Sequence, residues 1–245
     1  GCLTIGITGT KGKSTTSTLI YKILKAAGRD VYLAGNIGKP AIEILARLTK
    51  KSVVVLEMSS FQLQELKHSP NIAVILNIFP DHLDSHKNFK EYINAKAGIA
   101  ANQKSKDKIF YFSNDRDSKY IISKSPAKKF PVQFRKWNFL NLKIRGTHNI
   151  KNALMAAEIC RNLKIKERII QRTIQNFKGL EHRLEFVRAI KLKNKNKTAT
   201  IIEFYNDSAS TNPQTAASAI KAFKEPKILI AGGKDKNLDY ASLSK

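Results

Sequence analysis

The sequence predicts an α/β protein built on a doubly wound, mostly parallel sheet, and three observations carry that expectation. Short apolar runs alternate with helix-like stretches along most of the chain. Two of those runs, "SVVVLEM" and "NIAVILN", are continuously apolar rather than alternating, which marks strands covered on both faces. The first run enters a Gly/Thr/Lys-rich turn that opens a helix-like stretch, "GITGTKGKSTTSTLI".

Taken in order, "CLTIGIT" reads as a buried strand and "KSTTSTLIYKILKAAG" as a helix with Leu19, Ile20, Ile23 and Leu24 on one face. "DVYLAGN" is a second strand, and "PAIEILARL" a short helix with Pro40 suited to its first turn. The two apolar runs follow as strands. "FKEYINAKAGIAAN" is helical, "KIFYFS" a strand, and "HNIKNALMAAEICRNL" with "ERIIQRTIQNF" a helical pair. Near "FKGLEHRLEFV" the rhythm changes, so a domain boundary is placed around Phe177 to Leu180, separating residues 1–179 from 180–245. Beyond it lie the strands "LEFVRAI" and "TATIIEFYN", joined through a lysine-rich hairpin turn in "KLKNKNK". A helix after Pro213 ("QTAASAIKAF") and a strand "KILIAGG" complete the chain, whose second domain looks cut short.

At 245 residues and 42% hydrophobic content the chain can bury one large or two modest cores. No apolar run approaches the roughly 20 residues that span a bilayer, and no signal-peptide pattern opens it. Cys2 and Cys160 stand alone, without ligand spacing, and read as free thiols of a cytosolic protein. The net charge of +25 has two readings. It could serve nucleic acid or another polyanion. The preferred reading is a lysine bias travelling with Asn and Ile, since the charge is spread along the chain without aromatic interleaving.

In "TGTKGKST", Gly9 and Gly12 would let backbone amides wrap an anion that the following helix N-terminus also attracts. Lys13 supplies a mobile cation and Ser14 a hydroxyl able to ligate Mg²⁺. The strict GxxxxGK[ST] pattern is not met, because Ile7 occupies its first position. Glu57 and Asn77 follow buried strands, and in an open parallel sheet such ends line the ligand-binding edge. Asp81, His82, Asp84 and His86 crowd "NIFPDHLDSH", which on spacing alone is either a transition-metal site or a polar loop.

These motifs, with "AGNIG", "EMSSFQL", "INAKAGI", "GTHNIKNAL", "GLEHRLEFV", "NDSASTNP" and "AGGKDKNLDY", stand in the order seen in Mur ligases. The chain resembles that family over essentially its whole length, and "SSFQL" resembles its D-glutamate-adding branch. The resemblance implies a P-loop-type central ATPase domain over 1–179 and the start of a Rossmann-like C-terminal domain over 180–245. The family's UDP-binding N-terminal domain would then be absent. It implies ATP-dependent amide bond formation: D-glutamate is added to UDP-N-acetylmuramoyl-L-alanine through an acyl phosphate, in cytoplasmic peptidoglycan precursor synthesis. Phosphorylation turns a poor electrophile into a good one, and the protein aligns the gathered anions.

By motif, the nucleotide is expected on Gly9, Thr10, Lys11, Gly12, Lys13, Ser14 and Thr15, with Asn36, His148, Asn149, Asn152, Arg183 and Asp207. Two Mg²⁺ sites are implied, one at Ser14 and Glu57 and one at His82 and Lys96, the latter as a carbamate. Lys13, His82 and Lys96 carry the catalytic roles, while Ser59, Ser60 and Lys236 meet substrate. Ala209 departs from the family's common lysine and Lys11 from its frequent asparagine. A monomer without nucleic-acid partner or membrane insertion is implied, and this piece alone is expected to bind Mg-ATP weakly and turn over poorly. Two alternatives stay open: a folylpolyglutamate synthase-like amide ligase, and a basic P-loop protein that binds nucleic acid.

Overall fold

The computed structural model describes residues 1–80, 85–134, 142–193, 199–210, 212–234 and 239–243. Its contacts divide the chain into two compact units: Gly1–Leu140 with Ile150–Gln175, and Asn141–Asn149 with Asn176–Lys245.

The first unit is built on strands β1 (Leu3–Thr8), β2 (Val31–Gly35), β3 (Val53–Glu57), β4 (Ile72–Ile75), β5 (Lys108–Phe112) and β6 (Lys128–Val132). They form a six-stranded sheet in the order β2-β3-β1-β4-β5-β6. Every pairing in it is parallel. The continuous apolar runs have their explanation here, for Val53, Val54, Val55 and Ile72 through Ile75 are all buried. The chain moves to one side of β1 for β2 and β3, then to the other for β4 to β6, so the order reverses at β1. The crevice outside the strand carboxyl ends opens at such a point.

Helices α1 (Lys13–Ala26), α2 (Ala41–Ile44), α3 (Ser60–Gln64), α4 (Phe89–Ala101), α5 (Arg116–Ser123), α6 (Thr147–Asn162) and α7 (Glu167–Asn176) connect and follow the strands. In α1 the expected face is fully buried: Leu19, Ile20, Ile23 and Leu24 are all 0% exposed. Each such side chain contributes about 1.5–3 kcal/mol of burial. Met58, Leu63, Ala73, Ile75, Tyr92, Ile99, Ile109 and Ile121 form a core cluster that ties β4 and β5 to α3, α4 and α5. Cys160 lies in the interior of α6, where burial pushes its thiol well up from the ordinary range.

Pro40 sits one residue before the helix, at the N-cap of α2 with φ −52°, rather than inside its first turn. Three elements went beyond the sequence reading. Helix α3 is only five residues long, too short for a periodic signal. Helix α5 is capped by Asp115, whose side chain accepts from the Ser118 N–H at 2.8 Å. Strand β6 carries Pro131, which the pattern argues against, but it lies at the sheet edge where one fewer N–H is needed.

The second unit contains β7 (Glu185–Lys193) and β8 (Ala199–Asn206), an antiparallel pair with an irregularity between Phe186 and Arg188. The turn expected in "KLKNKNK" falls largely on 194–198, outside the described residues. Helix α8 (Pro213–Ile220) is capped by Asn212, which accepts from the Thr215 N–H at 2.9 Å, with Pro213 in its first turn. The expected strand in "KILIAGG" is not formed: residues 226–234 carry no strand, and Ile228 and Ile230 are more than nine-tenths exposed. A strand exists only as a ladder partner, and the described sheet of this unit contains β7 and β8 alone.

Candidate functional site

In the first unit the site grows from the joint between β1 and α1. Gly9 has φ +145° and Gly12 φ +90°, a region that L side chains rarely adopt. Space forbids a side chain as well. A Cβ on Gly9 would lie 2.9 Å from the Leu76 Cβ, and one on Gly12 would run into the Asn152 carboxamide. The turn is therefore wedged between Leu76, just past β4, and buried Asn152 of α6.

Two amines converge on one carbonyl of this turn. Lys13 Nζ donates to the Gly9 oxygen at 3.0 Å and to the Thr10 oxygen at 3.1 Å. Lys96 Nζ, from α4, donates to the same Gly9 oxygen at 3.1 Å. Lys96 is 2% exposed, and its amine stands 4.5 Å from the Tyr92 ring centroid. Tyr92 Oη is 3.1 Å from Thr10 Oγ1. Thr10 Oγ1 donates to the Phe79 carbonyl and accepts from the Phe79 N–H. A hydroxyl has a single proton, so Tyr92 is the donor to Thr10.

Glu57 ends β3 beside Ile7 of β1, and it is 3% exposed. Its Oε2 has no hydrogen-bond partner among the described residues. A buried carboxylate oxygen left this way is costly, and a cation is its natural complement. Asn36 is brought next to it by a backbone bond, its N–H donating to the Glu57 carbonyl at 3.0 Å. Glycines that admit an anion, two convergent amines and an orphaned carboxylate oxygen together fit a nucleotide phosphate with a divalent cation. Among the described residues no group of three or more His, Cys, Asp or Glu is arranged to hold a metal ion by itself.

Of the two serines in "SSFQL", Ser59 caps α3: its side chain accepts from the Gln62 N–H, and Gln62 Oε1 accepts from the Ser59 N–H at 2.9 Å. Ser60 is buried, with Oγ 3.0 Å from His86 Nε2. His86 turns inward, 1% exposed, stacked on Phe61 at 5.2 Å and edge-on to Tyr92 at 5.3 Å. It is thus not a solvated loop residue. Asp81, His82 and Asp84 lie outside the described residues, as does Lys236. Asn77, in the sequence a polar strand end, and Tyr92, which carries no sequence signal, both hold the turn. No local pattern signals either contact.

The second unit gathers His148, Arg183 and Asp207. The His148 imidazole is held below its ordinary range, first by desolvation and then by the Arg183 cation, with Asp207 opposing. Arg183 stands between His182 and Leu184, whose φ of +62° and +43° are left-handed. Asp207 secures that bend, accepting from the Leu184 N–H at 2.9 Å and from Ser210 Oγ. Asn149 donates to the Arg145 carbonyl at 2.7 Å. Arg145 in turn binds Glu203 and Glu225 and faces the rings of Tyr205 and Phe223.

Residues 7–138, the stretch holding the turn, Glu57 and Lys96, match the Mur ligase middle domain. The chain belongs to the Mur ligase family. Among curated relatives, proteins named UDP-N-acetylmuramoylalanine--D-glutamate ligase match over 98% of the chain. The one from Aquifex aeolicus is 41% identical, and the one from Caldanaerobacter subterraneus subsp. tengcongensis 38%. The chain spans 58% and 56% of those two proteins. Solved Mur ligases share its fold. MurF from Acinetobacter baumannii has TM-score 0.70 at 18% identity, covering 90% of this chain and 54% of that one. MurF from Thermotoga maritima in complex with ADP has TM-score 0.69 at 17% identity, covering 91% and 57%. No described helix of this Mur ligase chain is long and apolar enough to cross a membrane.

Proposed function

We propose that this chain is the ATP-binding central domain (1–179) and the first part of the C-terminal domain (180–245) of a ligase that joins D-glutamate to UDP-N-acetylmuramoyl-L-alanine. The observation that carries the reading is the 38–41% identity over 98% of the chain to relatives bearing that ligase's name. The setting of Lys13, Lys96 and Glu57 around one glycine turn supports it. Mg-ATP, when bound, supplies the phosphoryl group that activates the alanyl carboxylate, and the D-glutamate amine displaces phosphate from the resulting acyl phosphate.

Lys13 leaves its two carbonyls to neutralise the phosphates, exchanging neutral acceptors for an anionic one. Ser14 and Glu57 hold the first magnesium; His82 and Lys96, the latter as a carbamate, hold the second. Asn36, Asn149, Asn152, Arg183 and Asp207 are assigned to the nucleotide, and Ser59, Ser60 and Lys236 to the substrates. We place the reaction in the cytoplasm. The relatives reported above give no support to a folylpolyglutamate-type activity.

The deciding assay follows phosphate release by the full-length protein from Mg-ATP and UDP-N-acetylmuramoyl-L-alanine, with D-glutamate, L-glutamate or neither. Release that requires D-glutamate is expected. Release indifferent to it overturns the substrate assignment. The 245-residue piece alone is expected to bind Mg-ATP weakly and to turn over poorly; vigorous D-glutamate ligation by that piece would contradict the domain assignment.

A further inference from the structure

Asn77, the second residue past β4, directs three polar groups at the β1–α1 turn. Its backbone carbonyl accepts from the Thr10 N–H at 2.7 Å. Its Oδ1 accepts from the Lys11 N–H at 2.9 Å, and its Nδ2 donates to the Lys11 carbonyl at 3.0 Å. The paired strands end at Thr8 opposite Ile75, and the Leu76 N–H still donates to the Thr8 carbonyl at 3.1 Å. A carboxamide carries the same N–H and C=O as a peptide. It therefore continues the ladder past the point where the two backbones part. Gly9 makes the approach possible, since a Cβ there would meet the Asn77 backbone N and O at 3.2 Å.

We infer that Asn77 is the positioning residue of the phosphate turn, clamping Lys11 from both sides so that the anion is met by the amides at the start of α1 and by Lys13. The bonds define which groups are committed. The N–H groups of Thr10 and Lys11 both end on Asn77, so the phosphate must be bound beyond them, from Gly12 onward. A turn held in this shape before the ligand arrives spends less binding free energy on ordering. The inference rests on the nucleotide reading given above.

Two measurements on the purified protein separate the parts. In Asn77→Ala, hydrogen exchange at the Lys11 amide should quicken relative to the β1 amides, and the Kd for Mg-ATP should rise about 10-fold, as for the loss of one to two hydrogen bonds. Asn77→Asp keeps the acceptor for the Lys11 N–H but sets an oxygen against the Lys11 carbonyl. It should retain slow Lys11 exchange and still bind Mg-ATP more weakly. Unchanged Lys11 exchange in Asn77→Ala overturns the clamp. Quickened exchange and a lowered melting temperature with unchanged affinity of the folded protein leave Asn77 merely structural and overturn the positioning role. A wild-type protein that binds no Mg-ATP is a different result: it overturns the nucleotide reading, and the inference with it.

Discussion

Gly9 offers one carbonyl oxygen to two amines, those of Lys13 and Lys96. While Lys96 is an unmodified amine, the two like charges sharing this acceptor repel, and an arriving anion relieves both. Lys13→Met should therefore weaken Mg-ATP binding by at least about 10-fold, as expected for a charge-assisted contact. It should leave the melting temperature of the ligand-free protein unchanged or raised; calorimetry with and without nucleotide reads both. Glu57 carries the opposite load, a buried carboxylate with an oxygen unmatched. Glu57→Gln should raise the thermal midpoint without ligand while increasing the Mg²⁺ concentration needed for nucleotide binding; a lowered midpoint would contradict this. These residues were legible because turn chemistry is local, with Gly9, Gly12 and Lys13 adjacent in sequence and Glu57 marked by the apolar run before it. Asn77 was legible as a strand end at that edge, but its contacts and those of His86 were not. Asn77 acts on a residue 66 positions away, and His86 on one 26 away. Only the folded chain makes those neighbours.

At the scale of elements, the joint between α6 and α7 depends on Arg161. Its guanidinium meets Glu167 with two bonds, at 2.7 and 2.6 Å, and Glu158 with another at 2.6 Å. The bond from Arg161 holds the Glu167 carboxyl below its ordinary value of 4.5. A depressed carboxyl contributes stability above that ordinary value, and the contribution is lost as pH falls through the lower, folded-state value. Glu167→Gln should cost about 0.5–1 kcal/mol at neutral pH, as a half-exposed pair does. The difference from wild type should close below pH 4.5, as acid-titrated urea unfolding would record. A gap that stays constant into acid would contradict the assignment. Helix α4, which delivers Lys96, packs on α3 through Gly98, where a Cβ would run into the Leu63 carbonyl. Gly98→Ala should lift α4 and destabilise the first unit by about 1–3 kcal/mol, measurable by urea unfolding. Long apolar runs and amphipathic faces made most strands and helices readable. Strand β6 and the unformed strand in "KILIAGG" were not, because the first depends on being at an edge and the second on having a partner.

Over the whole molecule the charge of +25 is the feature that the proposed activity uses least. Binding to nucleic acid through such charge should weaken steeply with added salt, since each neutralised phosphate releases counterions. Fluorescence titrations at low and at physiological salt should find DNA or RNA affinity only in the former, with Mg-ATP binding retained in both. Salt-resistant nucleic-acid binding that Mg-ATP does not displace would reopen the alternative reading of the charge. The division into two units was less legible than the elements themselves, since contacts carry Asn141–Asn149 into the unit of residues far downstream.

The strand order also sets a schedule. β1 lies between β3 and β4, so it has no sheet neighbour until Val53 and then Ile72 have been made. The turn that follows it waits longer, for Asn77 behind Lys11, for Lys96 on Gly9 and for Asn152 against Gly12. Pairings this distant close slowly, and a chain synthesised from its N-terminus cannot hurry them. The glycines of the turn are thus translated before the residues that line it. A nascent chain stalled between residues 96 and 152 would carry the whole phosphate motif, with Asn77 and Lys96, and lack the Asn152 that lies against Gly12.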